Sequence, residues 1–130
     1  MPTEFTVTLR NTPGALAELG AALGKKGVNI AALQAMSFKD QSVLHLVVND
    51  PDVAVREFED YGLPFRTRQV LSVSVADEPG TLGKLAERLS DSGVNIDAVY
   101  LAMDQNVILG VSDLPAAARV IKQMGLRHKA

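Results

Sequence analysis

The residues of this 130-residue sequence best suited to hold a small charged molecule are a Pro-Gly pair, an asparagine and the backbone between them. Pro13-Gly14 stands just before the helical stripe of "ALAELGAALGKKG", and Asn29 follows the glycine that closes it. An α-carboxylate needs hydrogen-bond donors, and a helix N-terminus offers unpaired N–H groups together with the positive end of the helix dipole. Gly14 has no Cβ, so a ligand can approach that backbone closely. An asparagine side chain accepts from an ammonium and donates to a carboxylate, matching both ends of a zwitterion without bringing a full charge. The competing structural reading is that Pro and Gly only shape a turn while the asparagine hydrogen-bonds backbone after a helix cap. The same set recurs as Pro79-Gly80, Gly93 and Asn95. The interval from Pro13 to Pro79 equals that from Val28 to Val94, so the chain contains an internal duplication.

Other reactive residues assemble into nothing. The absence of cysteine removes thiol nucleophiles, disulfides and cysteine metal sites. His45 lies in an alternating apolar strand and His128 near the end of the chain, neither with neighbours suggesting a triad or a metal set. There is no phosphate loop. No catalytic residue, metal or cofactor is therefore expected, and the chain is read as a non-enzyme. Met36 and Met103 follow the second strands and are read as packing, Arg66 and Arg68 as a solvated strand face.

Thirteen Lys and Arg against 15 Asp and Glu give a net charge of −2, so no positive field favours nucleic acid or anionic lipid. No apolar run reaches the roughly 20 residues of a membrane span, and the opening "MPTEFTVTLRN" lacks a secretory pattern. The expected location is cytoplasmic. Aromatics make up 5 % of the residues and hydrophobic residues 47 %, which predicts an aliphatic core.

The elements that must position these residues follow from periodicity. Phe5, Val7 and Leu9, and again Leu71, Val73 and Val75, alternate as half-buried strands. Leu16, Leu19 and Leu23, and again Leu82, Leu85 and Leu89, form helical stripes. Proline suits a first helical position, and Gly27 and Gly93 suit left-handed C-terminal caps. Strands follow from Val28 and Val94, turns near Lys39-Asp40 and Asp104-Gln105, and third strands at Val43 to Val48 and Val107 to Val111. Second helices start near Pro51 and Leu114 and end near Gly62 and Gly125; "PFRTRQV" supplies a fourth strand, whereas "LRHKA" is too short for more than a frayed one. The expected fold is α+β: two tandem ferredoxin-like βαββαβ units, 1–69 and 70–130, with antiparallel sheets and helices on one face.

Strand, "NTPGAL", amphipathic helix and "KGVNIAAL" together resemble the ACT domain, a small-molecule-sensing module attached to amino-acid biosynthetic enzymes such as phosphoglycerate dehydrogenase and aspartokinase. The resemblance covers nearly the whole chain as two ACT units without a catalytic domain. It implies ligands at the interface of two units, between the strand-to-helix loop of one and the second strand of the other. Carried over, the binding residues are the loop Asn11, Thr12, Pro13, Gly14, Ala15 and Leu16 with Asn95 and Ile96 of the other copy, and the loop Asp77, Gly80, Thr81 and Leu82 with Asn29 and Ile30. Asp77 and Glu78 replace neutral Asn11 and Thr12, and Asp97 stands where copy one has Ala31, so the two sites are expected to be unequal. Glu78 is also a plain N-terminal helix acid.

The expectation is a regulatory protein that binds an amino acid and acts on a target such as an amino-acid biosynthetic enzyme. The alternative is a regulatory subunit or interaction module without a working ligand site. RNA-binding modules share this element order, but "VLHLVV" and "NVILGV" carry none of the aromatics that stack bases. Both faces of these third strands are apolar while helices cover one, so a homodimer or higher homo-oligomer is expected to cover the other.

Overall fold

Side-chain alternation along the first strand, β1 (Thr3–Arg10), sorts the first unit into two faces. Phe5 and Val7 are fully buried toward the helices. Glu4, Thr6 and Thr8 point the other way. The structure, a computed structural model, describes residues 2–129. After β1 come α1 (Ala15–Lys25), β2 (Ile30–Phe38), β3 (Gln41–Val48), α2 (Pro51–Asp60) and β4 (Phe65–Gln69). The remaining elements repeat this order: β5 (Leu71–Val73), α3 (Thr81–Asp91), β6 (Ile96–Leu101), β7 (Val107–Val111), α4 (Leu114–Gln123) and β8 (His128–Lys129).

Each set forms a four-stranded sheet, ordered β2-β3-β1-β4 and β6-β7-β5-β8. Two ferredoxin-like units result, each with its helices packed on one sheet face. One compact unit is Thr3–Arg68; the other runs on from Gln69 and includes Pro2, whose carbonyl accepts from the Val70 amide at 3.0 Å. Register carries the duplication further. Phe5 pairs with Leu46 and Val7 with Leu44, while Leu71 pairs with Leu109 and Val73 with Val107. Both second strands carry an irregularity at the same place, between Ile30 and Ala32 and between Ile96 and Ala98.

The first core joins Phe5, Leu44 and Leu46 to Leu19 and Leu23 of α1 and Phe58 of α2. Phe5, Phe58 and Phe65 form a ring cluster with centroids 5.3 to 5.9 Å apart. The second core is aliphatic, built on Leu71, Leu85, Leu89, Leu109, Val120 and Ile121. Burying each such side chain contributes about 1.5–3 kcal/mol.

Four local expectations are corrected. Pro13 and Pro79 are not first helical residues: Gly14 and Gly80 are the N-caps, and the helices begin after them. Regular second strands begin at Ile30 and Ile96, two residues later than expected, although Val28 and Val94 are buried. Leu16 and Leu82, in the first turns of their helices, remain 48 % and 46 % exposed. β8 forms as a two-residue ladder on β5, as short as the sequence implied. Arg68 is not merely solvated, because its Nε donates to buried Glu4 Oε1 at 2.9 Å. The open apolar sheet face is also smaller than expected, because Val47 and Ile108 on the side away from the helices are already buried within the chain. The large exposed apolar residues on or just beyond the second strands are Met36, Phe38, Val99, Leu101 and Met103.

Candidate functional site

The loop after β1 is held from the neighbouring hairpin. Asn11 N–H donates to Asp40 O at 2.8 Å, its Nδ2 donates to Lys39 O at 3.1 Å, and its Oδ1 accepts from Ser37 Oγ at 3.2 Å. Lys39 is itself left-handed at φ 56, so the Asn11 amide ties down the carbonyl of a strained turn. Gly14 sits at φ 90, a conformation that L-residues rarely adopt, and a Cβ there would meet nothing within 4 Å. Conformation, not crowding, demands the glycine, and the space before it is open. Gly80 repeats this at φ 86.

Neither helix behind these loops has a side-chain cap. The other two helices do: Asp50 accepts from Val53 N at 3.3 Å and Asp113 from Ala116 N at 3.0 Å. The two helices that follow a Pro-Gly pair thus present first-turn donors to solvent, while the two that follow an aspartate have theirs served. Exposed Leu16 and Leu82 stand beside the open donors. Thr12 O accepts from Ala15 N, and Glu78 O from Thr81 N, both at 3.3 Å, so each loop closes as a turn.

Asn29 and Asn95 lie at the other end of these helices. Asn29 N donates to Asn49 Oδ1 at 2.8 Å while Asn49 N donates to Asn29 O at 3.2 Å. In the second unit Ser112 does the same work, with Asn95 N to Ser112 Oγ and Ser112 N to Asn95 O both at 2.9 Å. The backbone is clamped, and both asparagine side chains are on exposed residues. These clamping residues were not singled out from sequence; a polar residue immediately before the Asp-capped helix is their signal. Ile30 and Ile96 are half-buried and pack on the two cores. Eleven residues of helix separate each loop from the asparagine of its own unit, about 16 Å at 1.5 Å per residue. No single unit brings Asn11 to Asn29, or Asp77 to Asn95.

A cavity of about 360 Å³ opens within the first unit, between α1, the end of β1 and the last turn of α2. Thr12, Pro13 and Ala15 border it; Asn11, Asn29 and Ile30 do not. Its polar wall is Arg10, Glu18, Glu57 and Tyr61, none of them anticipated. Glu57 was legible in principle, since it falls three residues after Ala54 and four after Val53, on the apolar face of α2. His45, read as structural, bonds Thr6 Oγ1 through Nδ1 at 3.1 Å and lies 3.7 Å from Glu4. The Lys129 ammonium, donating at 2.9 Å, holds the Asp104 carboxyl below its usual range, aided by the Asn106 amide. Among the described residues no group of three or more His, Asp or Glu could hold a metal ion. No helix among them is long and apolar enough to cross a membrane.

Residues 3–57 match the family model of the ACT domain. No curated protein matches the sequence. Among solved structures, a Bacteroides thetaiotaomicron protein superposes with a TM-score of 0.90 at 28 % identity, over 98 % of this chain and 91 % of that one. The ligand-free regulatory subunit of aspartate kinase from Thermus thermophilus matches with a TM-score of 0.71 at 17 % identity, over 94 % of this chain and 91 % of that one. The corresponding subunit from Thermus flavus gives a TM-score of 0.65 at 18 % identity, over 94 % and 91 %. The last two likenesses concern the fold.

Proposed function

We propose that this chain is a non-catalytic regulatory protein built of two ACT units, 1–69 and 70–130, that binds an amino acid at the loops following its first and fifth strands. The observation that carries the reading is the pair of uncapped helix N-termini behind left-handed glycines, repeated in both units and contrasted with two aspartate-capped helices in the same chain. Such donors suit the carboxylate of the ligand. In this reading Thr12 to Ala15 and Gly80 to Thr81 supply backbone, Leu16 and Leu82 cover an apolar side chain, and Asp77 takes an ammonium. Asn29, Ile30, Asn95 and Ile96 form the complementary half, presented to a loop other than that of their own unit, as the helix length requires. The ACT match over residues 3–57 and the folds of the aspartate kinase regulatory subunits support a regulatory role on an amino-acid biosynthetic enzyme.

A thermal-shift screen of the amino acids tests the proposal, because a ligand that binds only the folded state raises its melting temperature by mass action. One or a few amino acids should do so. Flat curves throughout would leave the second reading, an interaction module without a ligand site. Exposed Met36, Phe38, Leu101 and Met103 favour that reading, and also the expectation of at least a homodimer. Light scattering at micromolar concentration checks the dimer, and a monomer there would remove it.

A further inference from the structure

We propose that the cavity of the first unit, which the Pro-Gly loop borders through Thr12, Pro13 and Ala15, is a further binding site for a small apolar compound carrying one ammonium group, either a primary amine or the amino group of an apolar amino acid. At about 360 Å³ the cavity falls within the range of small-molecule sites and lies wholly inside the Thr3–Arg68 unit. Its floor is hydrocarbon, from Leu9, Leu19 and Phe58. Its charged wall is predominantly anionic, with Glu18 and Glu57 against Arg10.

Glu57 sets the sign of the ligand. It is 8 % exposed, on the same helix face as core residues Ala54 and Phe58. The cation nearest it is Lys26, whose Nζ stands 3.9 Å from Oε1, beyond hydrogen-bond length, on a side chain 59 % exposed. A carboxylate at the wall of a cavity gains a charge-assisted hydrogen bond when a cation comes into direct contact. An ammonium in the cavity would do so, at about 2.7–2.9 Å. The backbone adds to this. Glu57 and Phe58 belong to the last turn of α2, which contains no basic residue, so the negative end of that helix dipole also favours a cation there. Tyr61 at the same end also lines the cavity.

Calorimetric titration of the full chain with 2-phenylethylamine, 2-phenylethanol and L-leucine tests the site. The amine should bind, and the alcohol should bind at least tenfold more weakly or not at all. Glu57→Gln should weaken the amine at least tenfold, and Ala22→Leu, which fills the cavity, should abolish binding, while Lys122→Ala in the other unit leaves it unchanged. If circular dichroism shows Glu57→Gln unfolded, Glu18→Gln on the exposed first turn of α1 serves instead, with a several-fold loss expected. Binding of leucine as well as the amine identifies an amino acid as the ligand class, and binding of the amine alone identifies a monoamine. The proposal is overturned if neither titrates at millimolar concentration, if the alcohol binds as tightly as the amine, or if the carboxamide variant retains full affinity. An amino-acid response that survives Ala22→Leu belongs to the Pro-Gly loops, so the two sites fail or stand separately.

Discussion

Gly14 and Asn11 lie in one loop yet hold it for different reasons, and their substitutions should separate accordingly. At Gly14 the left-handed φ of 90 is the whole constraint, because nothing lies within 4 Å of an added Cβ. Gly14→Ala should therefore cost about 1–2 kcal/mol of stability in urea unfolding, with the same expected at Gly80. Asn11→Ala loses two side-chain bonds to the β2–β3 hairpin and should cost about 1 kcal/mol before any ligand is added. Asn29→Ala and Asn95→Ala remove exposed side chains whose clamped groups are backbone, so stability should change by less than about 0.5 kcal/mol. If those asparagines hold ligand, the amino-acid affinity should nonetheless fall about tenfold or more, which calorimetry reads directly. A fall in stability at Asn95 comparable to that at Asn11 would return the second-strand asparagines to a structural role.

At the scale of elements, the contrast between capped and uncapped helices makes a matched test. Asp50→Ala and Asp113→Ala each remove a carboxylate that accepts from a first-turn amide, and each should cost about 1 kcal/mol. The two-residue β8 depends on a charge pair as well as on its ladder, since Lys129 reaches Asp104 in the β6–β7 turn at 2.9 Å. The Asp104 carboxyl is held below the usual carboxylate range, first by the Lys129 hydrogen bond and then by the Asn106 amide. A carboxylate with a lowered folded pKa contributes stability that is present above its unfolded pKa and is lost as pH falls through the folded one. The pair should therefore weaken only below about pH 4. Both side chains are substantially exposed, so solvent screening keeps the contribution under about 1 kcal/mol. Hydrogen exchange of the Ser74 amide, which donates to Arg127 O beside β8, should quicken in Asp104→Asn at neutral pH. Unchanged exchange would mean that the ladder holds β8 without the charge pair.

For the whole molecule, the controlling fact is that each sheet carries its own core. Leu23 in the first and Leu89 in the second are both fully buried, so Leu23→Ala and Leu89→Ala should each cost about 2–5 kcal/mol. The two clusters share no member, so the losses should add in the double variant. A clear departure from additivity in denaturant unfolding would show that the cores are energetically coupled.

The sequence by itself determined the duplication, the element order and the C-terminal ends of the first helix of each unit, because these rest on local chemistry. Glycine in a left-handed cap at Gly27 and Gly93, side-chain alternation through Phe5 and Val7, and leucine spacing through Leu19 and Leu23 are each readable within a few residues. Where local rules compete, tertiary structure decided. Pro13 fits a helix start as well as a turn, and the left-handed backbone of Gly14 made it a turn; Leu16 keeps the helical spacing but is left about half exposed in the first turn. Partners distant in sequence were also decided only by the fold: Asn11 with the Lys39 turn, Asn49 with Asn29, and Glu4 with Arg68. The candidate site divides along the same line. Its loops were legible as residue types, but the opposite placement of loop and asparagine along α1, and the cavity walled by Glu57, exist only once the helix is laid on its sheet.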